Sequence, residues 1–526
     1  MKLAIMVICV GLLSAPVASA TTYLIRPDGT GDFPTIQAAI AAASDGDVIE
    51  LSGGTFTGDG NRDVGFLGKV ITVRSQSGDP AACIIDCQGT ATSPHRGFHL
   101  ASGVGPDSRI EGITVTHGYT RLNGGGAVCC TGACPTIARC IFTDNAGWDT
   151  ESGGAGGAVR GRNSTVTDCV FRGNRAVPGI YYQGGEGGAI ASWGSATITG
   201  CQFVGNAAHY GGAIYAADCQ ITVSGCTFAQ NDGGTAGGAA WITQASSGTL
   251  DHCLFEQNEA VGGSALAIWF GSSPTIDHCA FIANSSSYSG ALDIWTDSSP
   301  LISACTFYGN TGPSRGTALR CEESSFPVVE HSIISFGGEG VPVWCDGTSG
   351  ADLTCCDVYG NAGGDWVGCI ASQYGTNGDF SADPLYCDSP HGDFSLAAIS
   401  PCAPENAPDD CGLIGAWPVE CEVPQAAEAG SVLSAHMVLS TPNPFVGGTM
   451  IGYRLGSGSS GGVSVSVYDL AGRLVRTLRG EQEQGTPGRI WWDGADAAGN
   501  ELPGGIYLLR LAVGSQTVTE RVIKIR

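Results

Sequence analysis

Seven cysteines recur at one position of a repeated sequence and are the most regular candidates for chemistry in the chain. Each begins a Cys-x-Phe-x-x-Asn motif, and they are Cys140, Cys169, Cys201, Cys226, Cys253, Cys279 and Cys305. Thiolates in a regular array could bind a soft metal or carry out redox chemistry. All seven share the parity of the apolar positions, however, and a buried thiol packs as a small hydrophobic group. The pattern therefore predicts a ladder of buried free thiols.

Histidines and charged residues are the next candidates. His252 and His278 follow Asp251 and Asp277 at equivalent positions one repeat apart, and with His209 they lack a recognisable spacing of zinc ligands. We predict a stacked polar corner there and no metal site, with zinc as the alternative.

Acid–base chemistry on a polysaccharide would need converging carboxylates in a hydrolase, or a base and a calcium ion in a lyase. Lys69 is the only lysine of the repeat region, so a lyase would have to use an arginine, for which Arg160 and Arg162 are the candidates. The sequence contains no recognisable catalytic constellation. We assign no catalytic residue and expect no cofactor, with calcium left open.

A repeat with successive cysteines 25 to 32 residues apart positions these side chains. After each Gly-Gly-Ala or its weaker form, the first and third residues are apolar or small, which indicates a strand with one buried face. A second apolar position lies three residues before each cysteine, an odd spacing that requires a corner at the polar pair between them, such as Asp277-His278. The Asn of each motif is expected in a turn that needs a left-handed residue. Short strands at a fixed period predict a right-handed parallel β-helix.

The second and fourth residues after each Gly-Gly-Ala alanine should point outward from this solenoid. At these positions the chain places Arg160, Arg162, Trp193, Tyr215, Trp241, Trp269, Asp293, Trp295 and Arg320. Five aromatic side chains on one face predict an exposed apolar strip, which we expect to stack an extended polysaccharide while the charged residues select its charge and hydroxyl pattern. The nearby long turns supply a rim of Trp148, Tyr181, Tyr182, Tyr210 and Tyr288. The alternative is that a loop or a partner chain covers the strip for packing alone.

Composition and the ends of the chain set the context. With 24 basic and 49 acidic residues, the 526-residue protein is unsuited to nucleic acid. Residues 1–20 have the charged start, apolar run and small-residue cleavage site of a secretory signal, and no later segment is apolar enough to span a membrane. We therefore expect a secreted or bacterial cell-surface protein.

The domain boundaries follow from the loss of the repeat. We expect the β-helix over 21–417, with an N-terminal capping helix around Ile36, Ala39, Ile40 and Ala43, a linker over 418–438 and a small β domain over 439–526. The loop-rich end of the β-helix carries the four cysteines expected to form disulfides, Cys387, Cys402, Cys411 and Cys421.

Two stretches resemble known families. Gly-Gly-Ala-Ile followed by Phe-x-x-Asn, over about 124–310, resembles the repeat of the polymorphic outer-membrane proteins, which implies a surface-exposed β-helix with an adhesin-like role. Asn443-Pro-Phe445, Val467-Tyr-Asp469, Trp492-Asp-Gly494 and Gly504-Gly-Ile-Tyr507 resemble the flagellar hook-cap type immunoglobulin-like domain and the sorting domains of type IX secretion. That resemblance implies a C-terminal sandwich that contacts secretion machinery, with a sandwich appended for stability as the alternative.

Three functions remain open at this point. The protein could bind a polysaccharide or another surface ligand, cleave an acidic glycan as a lyase or hydrolase, or serve as a structural spacer at the cell surface.

Overall fold

The computed structural model describes most of the chain. Its described residues are 20–100, 103–121, 124–148, 154–177, 184–312, 315–408, 410–423, 435–441, 445, 447–455, 463–469, 473–480, 488–503, 505–513 and 516–524. Residues 1–19 of the predicted signal and 424–434 of the predicted linker lie outside this set. None of the helices within it is long and apolar enough to cross a bilayer.

Parallel strands form a long sheet through the repeat region. Successive coils, meaning successive turns of the solenoid, pair in register, as when Leu266–Trp269 pairs with Leu292–Trp295. The strands of this sheet are Thr22–Ile25, Val48–Leu51, Thr72–Ser75, Phe98–Leu100, Arg109–Glu111, Val128–Ala133, Thr136–Ala138, Val159–Thr167, Ile190–Thr199, Ile214–Ser224, Ala240–Thr243, Ser247–Asp251, Leu266–Trp269, Thr275–Asp277, Leu292–Trp295, Leu301–Ser303, Leu319–Glu322, Val328–Glu330, Val343–Cys345 and Asp352–Thr354.

A second parallel sheet carries the Cys-x-Phe half of each repeat. Its strands are Gly54–Phe56, Cys83–Asp86, Thr114–Thr116, Ile141–Thr143, Val170–Arg172, Gln202–Val204, Thr227–Ala229, Leu254–Glu256, Ala280–Ile282, Thr306–Tyr308, Ile333–Ser335 and Asp357–Tyr359. Shorter parallel pairings follow it at Tyr119–Thr120, Ala146–Trp148, Arg175–Val177, Glu259–Ala260 and Ser285–Ser286. The two predicted strand runs are thus confirmed, as is the parallel β-solenoid.

The corner between the two sheets lies where the spacing predicted it. The residue immediately before the cysteine has a left-handed backbone, with φ 49° at His252 and 47° at His278. The asparagine prediction is wrong in one respect, because the left-handed residue precedes the asparagine, as at Gln257 (φ 53°). Asn258 itself is buried and hydrogen-bonds to the neighbouring coils.

The core between the sheets is built from stacked identical residues. Phe228, Phe255 and Phe281 are fully buried, and their ring centroids lie 4.8 and 4.9 Å apart. All seven repeat cysteines are buried free thiols, as predicted. The Cys253 thiol, for example, donates to the carbonyl oxygen of Asp251 at 3.3 Å. Desolvation of such a thiol disfavours the thiolate, which agrees with a packing role.

The predicted N-terminal helix spans Ile36–Ala42. The Thr35 hydroxyl accepts a hydrogen bond from the Ala38 N–H and caps the first turn. Its apolar side, including Ile36 and Ile40, belongs to the solenoid core. The Nζ of Lys69 donates to the carbonyl oxygens of residues 40, 41 and 43 at 2.8, 2.9 and 2.6 Å, so this lysine satisfies the C-terminal end of the helix.

Beyond the coils, a closing segment packs on the outer face of the second sheet. Its strands are Tyr386–Asp388, Asp393–Ala397 and Val419–Cys421, and a short 3₁₀ helix, Ser389–His391, connects the first two. Two further 3₁₀ helices, Pro80–Ala82 and Gly368–Gln373, lie elsewhere in the unit. Ile333, Phe394 and Ile414 belong to one buried cluster, and the Ala416 N–H donates to the Thr306 hydroxyl at 2.9 Å. The segment reaches Cys421, inside the range expected for the linker.

Disulfides involve three of the four predicted cysteines. Cys387 bonds to Cys421 and Cys411 bonds to Cys355. The prediction is wrong for Cys402, a buried free thiol whose Sγ lies 3.3 Å from the Asp357 carboxylate. Two further bonds, Cys130–Cys134 and Cys345–Cys369, were not predicted from the sequence.

The chain divides into two compact units, 1–424 and 425–526. The second is antiparallel, with one sheet of Ala435–Thr441, Thr449–Leu455 and Gly488–Trp492 and another of Val463–Asp469, Leu474–Gly480, Gly505–Val513 and Gln516–Lys524. Trp492 is fully buried between Phe445 and Tyr507, at ring distances of 5.2 and 5.4 Å. This is the small immunoglobulin-like sandwich that the sequence predicts.

Candidate functional site

Large and small side chains lie side by side at several outer positions of the long sheet after Gly-Gly-Ala. In the register, Ala191 pairs with Tyr215, Trp193 with Ala217, and Trp241 with Ala267. An alanine beside each of these three rings leaves space for the ring to lie across two coils, which are about 4.8 Å apart. Tyr215 and Trp241, and likewise Trp269 and Trp295, are direct partners in the register. These pairings therefore let rings from different coils meet.

The five predicted aromatic residues form one continuous row. Ring centroids are 5.7 Å apart for Trp193–Tyr215, 5.3 Å for Tyr215–Trp241, 5.4 Å for Trp241–Trp269 and 5.0 Å for Trp269–Trp295. Most of these contacts are edge-to-face, a favourable geometry for aromatic pairs. We call these five residues the aromatic row.

The expectation that all nine outward positions face solvent is wrong for four of them. Tyr215 is 3% exposed, Trp241 9%, Asp293 1% and Arg320 8%. Tyr210, from the turn before Gly-Gly-Ala, packs on Trp241 with 4.4 Å between ring centroids. The outward residues are thus buried against each other and against the turns, outside the core of the solenoid.

Trp193, Trp269, Trp295 and Arg160 are half-buried, and Arg162 is exposed. These five, together with one residue that the sequence analysis missed, form the accessible part of the face. Phe270 is 44% exposed, and its ring lies 6.1 Å from Trp269 and 5.7 Å from Trp295. In a continuous strand Phe270 would point inward, so the alternation did not predict it on this face. A left-handed backbone (φ 56°) ends the strand there and turns the side chain outward.

An arginine-lined cavity adjoins the Trp193 end of the row. The Arg160 guanidinium lies over the Trp193 ring at 5.0 Å, a cation–π contact. The cavity has a volume of about 330 Å³ and is lined by Cys130, Thr131, Arg160, Gly161, Arg162 and Trp193. Burial raises the pKa of nearby Glu186, and the charge of Arg160 opposes that rise.

A buried ion-pair network lies at the other end. Arg320 Nη1 donates to Asp293 Oδ1 at 2.7 Å, and Arg320 also pairs with Glu322. Burial raises the pKa of Asp293, although the charge of Arg320 opposes the rise. The nearby indole N–H of Trp269 also favours the charged form of Asp293. It does not reach hydrogen-bonding geometry with Asp293 or with any other described residue. Asp293 and Arg320 therefore neutralise each other.

Two of the predicted rim residues contact this region. Tyr288 lies under Arg315 at 4.9 Å and under Arg320 at 5.0 Å, while Tyr210 covers Trp241 as described above. Trp148 packs instead against Arg121 at 5.2 Å. Tyr181 and Tyr182 lie outside the described residues. The structure thus brings together most of the predicted face and divides it into an accessible part and a buried support.

Comparison with known families identifies both units. A family model described as a right-handed β-helix region matches 71–228 and 187–362, which together span more than half of the chain. The chain belongs to the right-handed β-helix family. The match also confirms the predicted handedness of the β-helix. A second family model, the FlgD Ig-like domain, matches 443–516 and confirms the resemblance to the flagellar hook-cap type immunoglobulin-like domain.

Comparison with individual proteins adds little to this. No curated protein matches the chain. Among solved structures, dimeric latent PorU from Porphyromonas gingivalis matches with 27% identity and a TM-score of 0.16 over 17% of this chain and 9% of its own. PorZ, described as an essential surface component of the type IX secretion system of that organism, matches with 24% identity and a TM-score of 0.14 over 19% of this chain and 13% of its own. This β-helix protein thus spans only a small fraction of either chain, and overlaps this short identify neither its fold nor its activity.

Proposed function

We propose that this right-handed β-helix protein is displayed at the bacterial cell surface and binds an extended polysaccharide along its aromatic row. The observation that carries the proposal is the continuous row with three half-exposed tryptophans and the exposed Phe270. Flat aromatic faces pack against the apolar faces of sugar rings, and a contiguous exposed apolar patch is characteristic of a recognition surface.

The two outer faces of the solenoid differ in a way that supports this proposal. On the second sheet, aromatic residues such as Tyr308 lie under the closing segment, with Phe394 at 4.8 Å. On the long sheet, Trp269, Trp295 and Phe270 keep exposed surface in the part of the chain that the structure describes. If the aromatic residues of the long sheet served packing alone, we would expect a segment to cover them, as the closing segment covers those of the second sheet.

The binding role falls on the accessible residues. Tyr215 and Trp241 hold the neighbouring rings in place, while Trp193, Trp269, Trp295 and Phe270 contact the ligand. Arg160 and Arg162 at one end contact its polar or charged groups. Asp293 and Arg320, at the other end, have a structural role. Their charges neutralise each other and are not available to a ligand.

The proposal of display at the surface rests on the secretory signal predicted for residues 1–20 and on the C-terminal unit. We infer that residues 439–526 direct or tether the protein through contacts with secretion machinery and take no part in binding. Deleting them should retain the protein in the cell envelope or release it, without changing glycan binding. If localisation is unchanged, the domain has no sorting role.

A glycan array with the full chain tests the binding proposal, because it presents charged and neutral polysaccharides side by side. Trp269→Ala combined with Trp295→Ala should abolish retention. Trp491→Ala, which removes a 53% exposed tryptophan in the other unit, is the matched control and should bind as the parent does. Retention that survives the double substitution would refute the aromatic row as the site.

Enzymatic cleavage is the second candidate, through Arg160 or Arg162 as a lyase base. The same glycans incubated with and without calcium should be examined for unsaturated or reducing-end products. Product formation that is lost in Arg160→Ala would favour the lyase. Absence of both binding and products over a broad array would favour the structural spacer.

A further inference from the structure

Two Asp-His pairs stack on neighbouring coils at the corner between the sheets. Asp251 pairs with Asp277 in the register, so the histidines that follow them stand one above the other. The rings of His252 and His278 are parallel to within 3°, with centroids 4.8 Å apart. Because both residues have the left-handed backbone of the corner, both side chains leave the solenoid in the same direction.

Each imidazole lies beside the carboxylate that precedes it. His252 Nδ1 is 2.6 Å from Asp251 Oδ1, within hydrogen-bonding geometry. A cation that displaces the proton from this Nδ1 can be held by the nitrogen and by the Asp251 carboxylate together. His278 Nδ1 is 3.0 Å from Asp277 Oδ2 but makes no hydrogen bond with a described residue. This second imidazole is therefore not restricted to one tautomer.

We propose that Asp251, His252 and His278 bind one divalent transition-metal ion of the Zn²⁺, Ni²⁺ or Cu²⁺ class. One ligand atom from each of the three lies within 4.8 Å of the others. Two imidazole nitrogens and a carboxylate oxygen suit these metals better than Ca²⁺ or Mg²⁺, which prefer oxygen ligands throughout. The proposal is independent of glycan binding, since the corner follows a different strand from the one that carries the aromatic row.

Closing the site requires only a small movement of the side chains. At a metal–nitrogen distance of about 2.1 Å, two ligand nitrogens of a tetrahedral site lie about 3.4 Å apart. The two rings must tilt toward each other by on the order of 1 Å, and His252 and His278 have side chains 64% and 39% exposed, which leaves them free to do so. Asp277 remains beside His278, where its negative charge favours a bound cation.

The arrangement is confined to two coils within the described residues. The equivalent corner position is Gly225 on the preceding coil and Ala304 on the following coil. His331 occupies the same position one coil further on, with left-handed φ 49°, but Ala304 separates it from His278. We therefore expect one ion per chain, and His331 supplies a natural control.

Calorimetric titration of the untagged full chain with ZnCl₂ and CuSO₄ tests the site. One equivalent of each should bind, and His252→Gln or His278→Gln should each weaken binding at least about tenfold. Asp277→Asn should weaken it less than the histidine substitutions do, because it removes a nearby negative charge but no ligand. His331→Gln should bind as the parent does. Binding that is unchanged in the His252→Gln, His278→Gln double variant would overturn the proposal.

Electron paramagnetic resonance of the Cu²⁺-loaded parent gives a measurement that does not depend on variants. Hyperfine coupling to two imidazole nitrogens is expected, falling to one nitrogen in His278→Gln. Absence of bound copper, or coupling to a single nitrogen in the parent, would exclude the two-histidine site. Circular dichroism melts confirm that each variant is folded.

Discussion

Asn258 donates its side-chain amide to Oδ1 of Asn284, one coil further on, at 2.9 Å, and its backbone N–H donates to the same oxygen at 3.0 Å. The same amide also donates to the Phe228 carbonyl on the preceding coil at 2.9 Å. Each buried asparagine thus closes the turns of two coils at once. It supplies hydrogen-bond partners to polar groups that are buried from solvent in the turn.

Asn258→Ala should therefore destabilise the β-helix. The change removes the acceptor for the Asn231 backbone and side-chain N–H groups and the donor to Phe228, and one unsatisfied buried group costs about 1–3 kcal/mol. We expect a loss of about 3 kcal/mol in the free energy of unfolding, measured by urea denaturation. Gln257→Ala, at the exposed neighbouring position, is the control and should change stability far less. A loss no greater in Asn258→Ala than in Gln257→Ala would show that the ladder contributes nothing.

Asp357 should make the stability of the β-helix depend on pH. Burial raises the pKa of this carboxyl to about 7, against the hydrogen bonds from the Ala382 N–H and the Cys402 thiol. Because the pKa is higher in the folded state than in the unfolded state, the folded state binds the proton more tightly. The associated stability is present at pH 4 and is lost as the pH rises to about 7.

Asp357→Asn should remove much of this loss. We expect the variant to match the parent near pH 4 and to be more stable at pH 8, by up to about 4 kcal/mol if the full shift is expressed. Urea denaturation at half-unit pH intervals measures it. Asp352→Asn, an exposed carboxyl in the same region, should follow the parent. Equal pH dependence in the parent and Asp357→Asn would contradict the assignment, and Asp379, whose pKa burial raises to about 6, would be the next candidate.

Arg320 should matter for stability more than for ligand choice. Removing it leaves Asp293 buried without its partner, and breaking a buried ion pair typically costs about 3–5 kcal/mol. We expect Arg320→Ala to lower the free energy of unfolding by about this amount. Arg162→Ala, at an exposed arginine, should change it by no more than about 0.5 kcal/mol.

A double-mutant cycle separates the pair from general packing. With Asp293→Asn, the loss from Arg320→Ala should shrink markedly, because the buried charge is then absent. Additive losses would show that the two side chains are not coupled. Glycan retention measured on the folded fraction of each variant should stay near the parent value if these residues only support the row.

Thiol labelling distinguishes the cysteine ladder from the disulfides. In urea without reductant, iodoacetamide should label Cys253, Cys279 and Cys402, and peptide mass spectrometry should find Cys387 and Cys421 labelled only after reduction. In the folded protein the ladder thiols should react slowly, because they are buried and the reagent cannot reach them. Labelling of Cys402 only after reduction would contradict its assignment as a free thiol.

The local repeat was sufficient for the architecture. Alternation after Gly-Gly-Ala, together with the odd spacing before each cysteine, predicts the two sheets and the corner at His278. It can do so because the alternation of side chains between the two faces of a strand depends on only a few consecutive residues. The buried thiols follow from the same parity, as does the outward position of Trp269 and Trp295.

Only the tertiary structure decided which outward residues are accessible. Parity assigns Tyr215 and Trp241 to the outer face, but their burial depends on Tyr210 and on alanines from neighbouring coils. The exposure of Phe270 was not predicted because a left-handed residue ends the strand there. Asp293, predicted to face solvent, is buried and paired with Arg320, 27 residues away. Sequence alternation specifies the side of a sheet on which a side chain lies. What covers that side is set by contacts between coils, which the sequence does not encode locally.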